Sequence, residues 1–414
     1  MLRIIHFSDF HLNKKNLEDW NYFLKDKLIE KLLEINADKK IDLILMTGDL
    51  IDKGGIDFKV PEGSPKEHTK TFEAFTIFKK SIIAPILEAL KLTKEKFLII
   101  PGNHDLDQSI EPDFMELGLQ ALFKTEDAVN SFIRERRNDN FQGIERIRAF
   151  KRFEKDFYNG IGDCQLSNFD SVFKIDINGA TIGVACFNSS WRCFDSKKDK
   201  GLILVGEMQV ANAVKHLKGC DTKIALLHHP FDWVSPVDHA VSHHLQKEFD
   251  LMFLGHVHEG QTIVQTGFTS SLFLNVAPGA LTDIRTDSKR FSNGFTLVDY
   301  SKENHRVNCT YLRYHHNNNT FVLNTELGEN GKYDFEIPQH GRLSQIKLAQ
   351  EHLKVIKEVH YELMNENLIS KDAEFGPKSV NEAFVLPKII SSAREVEEDD
   401  DEKKENAIEG LSLQ

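Results

Sequence analysis

Three short apolar runs, residues 2–8, 41–47 and 97–100, are joined by two stretches whose apolar residues recur at helical spacing. In the first stretch they are Trp20, Leu24, Leu28, Leu32 and Ile35; in the second, Phe72, Phe75, Phe78, Ile82, Ile86 and Leu90. Short apolar runs bounded by turn residues read as buried strands, and a period near 3.6 reads as an amphipathic helix. Strand–helix–strand–helix–strand over the first hundred residues leaves few folds open. Strands joined through a helix pair in parallel, with the helices covering a face of the sheet.

From 172 to about 312 short strands predominate, at 172–177, 181–187, 223–228, 250–254, 270–276, 294–299 and 306–312. Asn178-Gly179 between the first two is a hairpin signal, and one helix near 206–217 precedes the third. A parallel first half followed by a mixed second half predicts two sheets packed face to face, with helices outside. Residues 106–160 interrupt the rhythm as a mostly helical, charged insertion. Within 131–157 there are eight basic residues (Arg134, Arg136, Arg137, Arg146, Arg148, Lys151, Arg152 and Lys155) against five acidic. Such a run is either a solvated helix face or a rim that attracts a phosphate-rich substrate. Beyond about 335, Ile346, Ala349, Leu353, Ile356, Val359 and Leu363 predict one long helix, near 344–366. Glu395–Glu405 then carries eight acidic residues, a composition expected to be disordered. The expected division is a domain at 1–335 and a helical extension with an acidic tail at 336–414.

Among 414 residues, 64 are acidic and 52 basic, a formal charge of −12. That balance argues against a protein whose main task is coating nucleic acid or anionic membrane. Five scattered cysteines with no Cys-x-x-Cys pair are neither a disulfide framework nor a thiolate zinc site, and suit a reducing compartment. The N-terminus turns polar within nine residues, and no apolar run approaches the ~20 residues of a membrane span. The expectation is a cytoplasmic protein without a membrane partner.

Five polar motifs follow predicted strands: Asp9 and His11; Gly48-Asp49; Gly102-Asn103-His104-Asp105; His228-His229-Pro230; and Gly255-His256-Val257-His258. Strand ends along one edge of an α/β sheet are where such folds build sites. In extended backbone, residues i and i+2 point to the same side, so Asp9 can converge with His11, and His256 with His258. The glycines at 48, 102 and 255 allow sharp turns on leaving each strand. Carboxylate, imidazole and carboxamide without thiolate suit two divalent ions such as Mn²⁺, Fe²⁺ or Zn²⁺. Hiding so many polar groups at strand ends is costly without a partner. Alone, each motif is weak; all five in one order, each after an apolar strand, are specific.

The run FSDFH, TGDL, PGNHD, LHHP and GHVH closely resembles the calcineurin-like metallophosphoesterases, over about residues 1–312. The resemblance implies a four-layer α/β/β/α sandwich with a two-metal centre. It implies that Asp9, His11 and His258 hold one ion, that Asn103, His228 and His256 hold the other, and that Asp49 bridges them. His228 is preferred over His229 because the family's usual ligand stands two before the proline. His104 matches the family's catalytic histidine, and Asp105 is the acidic residue beside it. The implied cofactor is a pair of divalent ions, Mn²⁺ first, with Fe²⁺, Zn²⁺ or Ni²⁺ as alternatives. The implied mechanism is in-line attack of a metal-bridging hydroxide on a phosphoryl group, with His104 serving the leaving group.

Asn188, in FNSSW, and His229 are candidates to bind substrate, and Trp191 and Phe231 to stack on a base, although core packing is the commoner role of such aromatics. Asp238, His239, His243 and His244 are expected on a solvated loop or helix face. The family's substrates range from phosphoproteins to cyclic nucleotides and DNA. FSDFHLN also resembles the start of repair nucleases that work with a coiled-coil ATPase. The expected substrate is a phosphodiester, with nucleotide ahead of DNA or RNA. Two alternatives remain: a nuclease module of a larger defence or repair assembly, and a scaffold acting through 336–414. NEAFVLPKI and the segment after it loosely resemble the lead-in to signalling ATPase domains, so a homo-oligomer or an ATPase-type partner is expected there.

Overall fold

The computed structural model describes residues 1–110, 118, 121–194, 198–266, 270–281 and 293–338, with the backbone of the strand pair Asn367–Leu368 and Lys378–Ser379. The chain divides into two compact units, Met1–Gln339 and His340–Gln414. The helix expected near 344–366 and the acidic run 395–405 lie outside the described residues, as do 111–117 within the insertion.

The first unit is built on two seven-stranded mixed sheets. In chain order its strands are β1 Leu2–Phe7, β2 Leu43–Thr47, β3 Phe97–Ile100, β4 Cys164–Leu166, β5 Asp170–Ile177, β6 Ala180–Phe187 and β7 Thr222–Leu227. They continue with β8 Leu251–Leu254, β9 Gln261–Thr266, β10 Ser271–Val276, β11 Gly294–Ser301, β12 Arg306–His315, β13 Thr320–Leu323 and β14 Lys332–Glu336. One sheet runs β13-β12-β11-β1-β2-β3, with β14 also paired to β12; the other runs β4-β5-β6-β7-β8-β10-β9. β1, β2 and β3 pair in parallel, as the helix-linked pattern requires, and so do β6, β7, β8 and β10 in the second sheet.

The alternation along β7 shows the layering. Ile224 and Leu226 join the core shared with the first sheet, whereas Ala225 and Leu227 face a second cluster containing Val210, Ala213, Val241 and Leu245. Those last four sit on the helices Glu207–His216 and Ala240–Glu248. Successive strand residues point to opposite faces, so the sheet is buried on both sides, and the result is the four-layer α/β/β/α sandwich. The first two long helices each contain a π turn, Trp20–Leu24 and Lys79–Ile83. Their apolar residues repeat every four positions, which in an α-helix drifts by about 40° per repeat. A wider turn keeps the stripe on the sheet, and Trp20, Leu24, Leu28, Leu32, Phe78, Ile82 and Ile86 are all buried.

Four strands escape sequence reading: β4, β9, β13 and β14. They are short or largely exposed strands at or beside the sheet edges, without a continuous apolar run.

Candidate metal centre

The loops after β1, β2, β3, β7 and β8 converge at one edge of the sandwich. The convergence is not made by extended backbone, as the spacing of the ligand pairs suggested. Asp9, His11, Asp49, His256 and His258 all have positive φ, between 45° and 73°. Left-handed backbone costs a residue with a Cβ about 1–2 kcal/mol, and such residues persist where neighbours over-determine them. Here the loop after β1 is laced to the loop after β2. Asp9 N–H donates to Gly48 C=O (3.0 Å), His11 N–H to Asp49 C=O (2.9 Å) and Leu12 N–H to Leu50 C=O (3.0 Å). Gly48 itself has φ +93°, and a Cβ there would lie 2.6 Å from His228 Nδ1. Gly102 and Gly255 do not have positive φ; they are needed for close approach, since a Cβ at either would lie 2.1 Å from Asp49 Oδ1 or Ser8 Oγ respectively.

The side chains form two groups joined by one carboxylate. In the first, His11 Nε2 lies 3.0 Å from His258 Nε2, and His258 Nε2 lies 3.1 Å from Asp9 Oδ1. In the second, Asn103 Oδ1 lies 3.1 Å from His228 Nε2 and 3.0 Å from His256 Nδ1, and those two nitrogens are 3.3 Å apart. Asp49 Oδ2 sits between the groups, 3.6 Å from His11 Nε2 and 3.4 Å from His228 Nε2. Its other oxygen is held by the His104 backbone N–H at 2.8 Å. All seven residues singled out as ligands therefore meet, and the Asp49 carboxylate oxygen lies between an imidazole of each half.

The family model of the calcineurin-like phosphoesterases matches residues 2–260. The chain belongs to this family. Phosphoester hydrolysis with divalent metals is the chemistry that membership brings. Among relatives, the uncharacterized metallophosphoesterase-like protein YydB of Bacillus subtilis is 20% identical over 353 residues, covering 81% of this chain and 65% of that protein. The probable glycerophosphodiester phosphodiesterase GpdQ of Arcobacter nitrofigilis is 30% identical over 115 residues, 27% of this chain and 33% of that one. The chain thus spans just under two thirds of the first relative's length and a third of the second's. Among solved structures, the NAD nucleotidase of Haemophilus influenzae superposes with a TM-score of 0.33 at 13% identity, covering 88% of this chain and 61% of that chain.

The donor set of this calcineurin-like phosphoesterase fits metal ions. Asp9 Oδ1 is buried and accepts no well-directed hydrogen bond, and paired imidazole nitrogens face one another at 3.0 and 3.3 Å. Burial lowers His11 and His256 to about 4, leaving their lone pairs free to coordinate. Burial opposes charge on the carboxylates as well, yet His258 and His228 beside Asp9 hold it at about 2. Burial would also lower His228, but Asp49 and Asp9 lift it to about 9. Two buried carboxylates thus draw positive charge toward themselves from both sides. His228 Nδ1–H donates to the Thr47 carbonyl at 2.7 Å, which turns Nε2 toward Asn103 and Asp49.

His104 stands at the edge of the first group, its ring edge-on to His11 with centroids 4.5 Å apart. Its Nδ1 meets Asp52 Oδ1 at 2.9 Å. Burial would lower its pKa, but Asp49 and Asp52 raise it. Asp52 is a neighbour of the cluster that the sequence did not single out; the available signal was a second acid three residues after Asp49. Asp105 does not face the reacting space. It is fully buried, and its carboxylate accepts from Ile51 N–H (3.0 Å) and Gly102 N–H (2.8 Å). It positions the loop that carries Asn103 and His104, in place of the catalytic role expected for it.

Asn188 and His229 are likewise not presented to substrate. Both are fully buried. Asn188 donates from Nδ2 to Asn168 C=O (3.2 Å) and accepts at Oδ1 from Ser190 N–H (2.9 Å). His229 turns Nδ1 to Ser189 Oγ (2.8 Å) and Nε2 toward Cys193 Sγ (3.7 Å), and packs behind His256. Trp191 is a core residue among Phe123, Phe132 and Phe169, and Phe231 packs on the second cluster. Asp238 is buried, not solvated; it accepts from Val205 N–H (2.5 Å) and Gly206 N–H (2.8 Å), bracing the turn into the helix Glu207–His216. Trp233, which the sequence did not single out, lies partly exposed against His256, with centroids 4.0 Å apart. No helix among the described residues is long and apolar enough to cross a membrane.

Proposed function

We propose that this phosphoesterase is a dinuclear metal-dependent phosphodiesterase acting on a nucleotide or nucleic-acid phosphodiester. The observation that carries this reading is Asp49 Oδ2, within 3.6 Å of one imidazole group and 3.4 Å of the other. Asp9, His11 and His258 would hold one ion, Asn103, His228 and His256 the second, and Asp49 both. Two such ions, Mn²⁺ first among those suited to oxygen and imidazole donors, supply an acidified water and positive charge for the phosphoryl oxygens. The chain's own groups do the rest. The His104 N–H fixes Asp49 so that Oδ2 stays between the groups. Asp52 holds His104 Nδ1, leaving Nε2 to donate a proton to the departing alkoxide. A phosphodiester is favoured by the likeness to the probable glycerophosphodiester phosphodiesterase of Arcobacter nitrofigilis, which matches 27% of this chain. The basic insertion favours a nucleotide portion, and the net charge of −12 favours a small ligand over a long duplex.

The test is a panel of mono- and bis-esters, cyclic nucleotides, single-stranded and duplex DNA, each with Mn²⁺ and with chelator. Chelator-sensitive hydrolysis of diesters ahead of monoesters is expected. Turnover that survives chelation, or a preference for monoesters, would overturn the reading.

A further inference from the structure

The helix Arg148–Phe157 is two-faced. Phe150, Phe153 and Phe157 are buried, while Arg148, Lys151, Arg152 and Lys155 stand at i, i+3, i+4 and i+7. That spacing places four cations on one side of a helix, where like charges repel. They line a cleft of about 520 Å³, completed by Arg137 and the ring of Phe141. The volume is that of a small-molecule site. None of the seven metal ligands lines it.

The cleft's charges are only partly answered from within the protein. Lys151 pairs with Glu154 at 2.9 Å and Arg137 Nη2 with Asp170 at 2.9 Å. Arg152 gives one N–H to Glu67 C=O (3.1 Å) and lies over Phe72. Asp139 is the other acid in the lining. Arg148 lies over Phe141, 5.2 Å from its centroid, and among the described residues neither it nor Lys155 makes an ion pair. Arg137 Nη1 is buried with no hydrogen-bond partner. Leaving a buried guanidinium donor without an acceptor is costly, and an anionic oxygen would satisfy it.

We propose that this cleft is a second binding site, for nucleoside phosphates: the phosphates meet Arg137, Arg148 and Lys155, and the base lies against Phe141. Guanidinium groups match phosphate oxygens in a planar fork, and a base stacks on an aromatic ring or an arginine plane. The same chemistry is offered by a free nucleotide and by the end of a nucleic-acid strand. The proposal does not rest on the metal reading. Binding in chelator tests one and hydrolysis in Mn²⁺ the other, so either can fail alone.

The experiment is fluorescence anisotropy on the full chain in chelator at low salt, with labelled adenosine triphosphate and a labelled single-stranded oligonucleotide. Wild type should bind at least one probe, and binding should weaken as salt rises. Arg148→Glu with Lys155→Glu should lower affinity about tenfold or more, the scale of one charge-assisted contact, while hydrolysis of a small ester is unchanged. Arg148→Lys with Lys155→Arg should retain most of the binding. Preference for the nucleotide or for the strand identifies the source of the ligand. If the charge-reversed protein also loses ester hydrolysis, Arg148→Ala replaces it, and must weaken binding. Absence of binding by wild type, or equal binding by the charge-reversed or alanine protein, would overturn the proposal.

Discussion

The two halves of the ligand cluster differ in depth. The His228 side chain has no exposed surface, whereas those of His11 and His258 keep 17% and 26%. His228 is also fixed from behind by the Thr47 carbonyl, and Asn103 accepts between it and His256. In the other half two imidazoles meet Asp9 Oδ1, which lacks a directed hydrogen bond. A buried, pre-oriented imidazole loses little freedom on coordination and keeps competing water out. The shallow half is the side more open to solvent, and His104 stands beside it. The deep half should therefore retain its ion, and the shallow half should exchange it.

Asp49 joins the halves, so its loss should have the largest effect. Asp49→Asn is expected to lose at least one ion and at least about a thousandfold in turnover, the loss of several kcal/mol of charge stabilisation. Elemental analysis alongside diester hydrolysis checks this; full activity with undiminished metal would refute the bridge. The contrast itself is sharpened by alanine at one histidine of each half. In His258→Ala, excess Mn²⁺ should restore much of the activity, because the shallow position can complete its shell with water. In His228→Ala it should not. Equal rescue of the two would break the comparison.

At the shallow rim, His104→Ala should keep both metals yet lose about 10²–10⁴-fold on poor leaving groups, and less on an activated aryl ester. Asp52→Asn should be milder. Asp52 helps raise the pKa of His104. An acid must be protonated to act, so activity falls as pH rises through that pKa. Removing Asp52 should move this alkaline limb to lower pH, and an unmoved limb would exclude the pairing.

Beneath the deep half lies the smallest effect, one on stability. His6 Nδ1 meets Asn275 Oδ1 at 2.7 Å and Nε2 meets Thr47 Oγ1 at 2.9 Å, tying β1 and β2 to β10 of the other sheet. Burial lowers His6 to about 4 from 6.5. Between these values the unfolded chain binds more protons than the folded one. Its contribution is therefore full above about pH 6.5 and is lost as pH falls toward 4, by on the order of 3 kcal/mol at most. Urea midpoints at pH 7 and 4.5 should fall less for His6→Gln than for wild type; equal falls would assign the acid sensitivity elsewhere.

The residues that converge were legible because their signal is local: an apolar strand, a glycine where space is short, then a carboxylate or imidazole. The parallel core was legible for a similar reason, since the periodicities of β1, β2 and β3 and their helices are strong. Asp52 was not, because an acid near a strand end has many uses, and only the fold brings His104 within 2.9 Å of it. Asn188 and His229 look like their functional neighbours in sequence. Burial alone separates them, and burial depends on which strands lie beside β6 and β7.

The sequence by itself determined the donors, their order along the chain and the strands that carry them, because residue type and hydrophobic period are properties of short segments. Tertiary structure decided how the donors converge. Asp9, His11, Asp49, His256 and His258 adopt left-handed backbone that their own residue types disfavour. They are held there by contacts such as Asp9 N–H to Gly48 C=O and His256 N–H to Asp9 Oδ2, which exist only once distant strands are side by side.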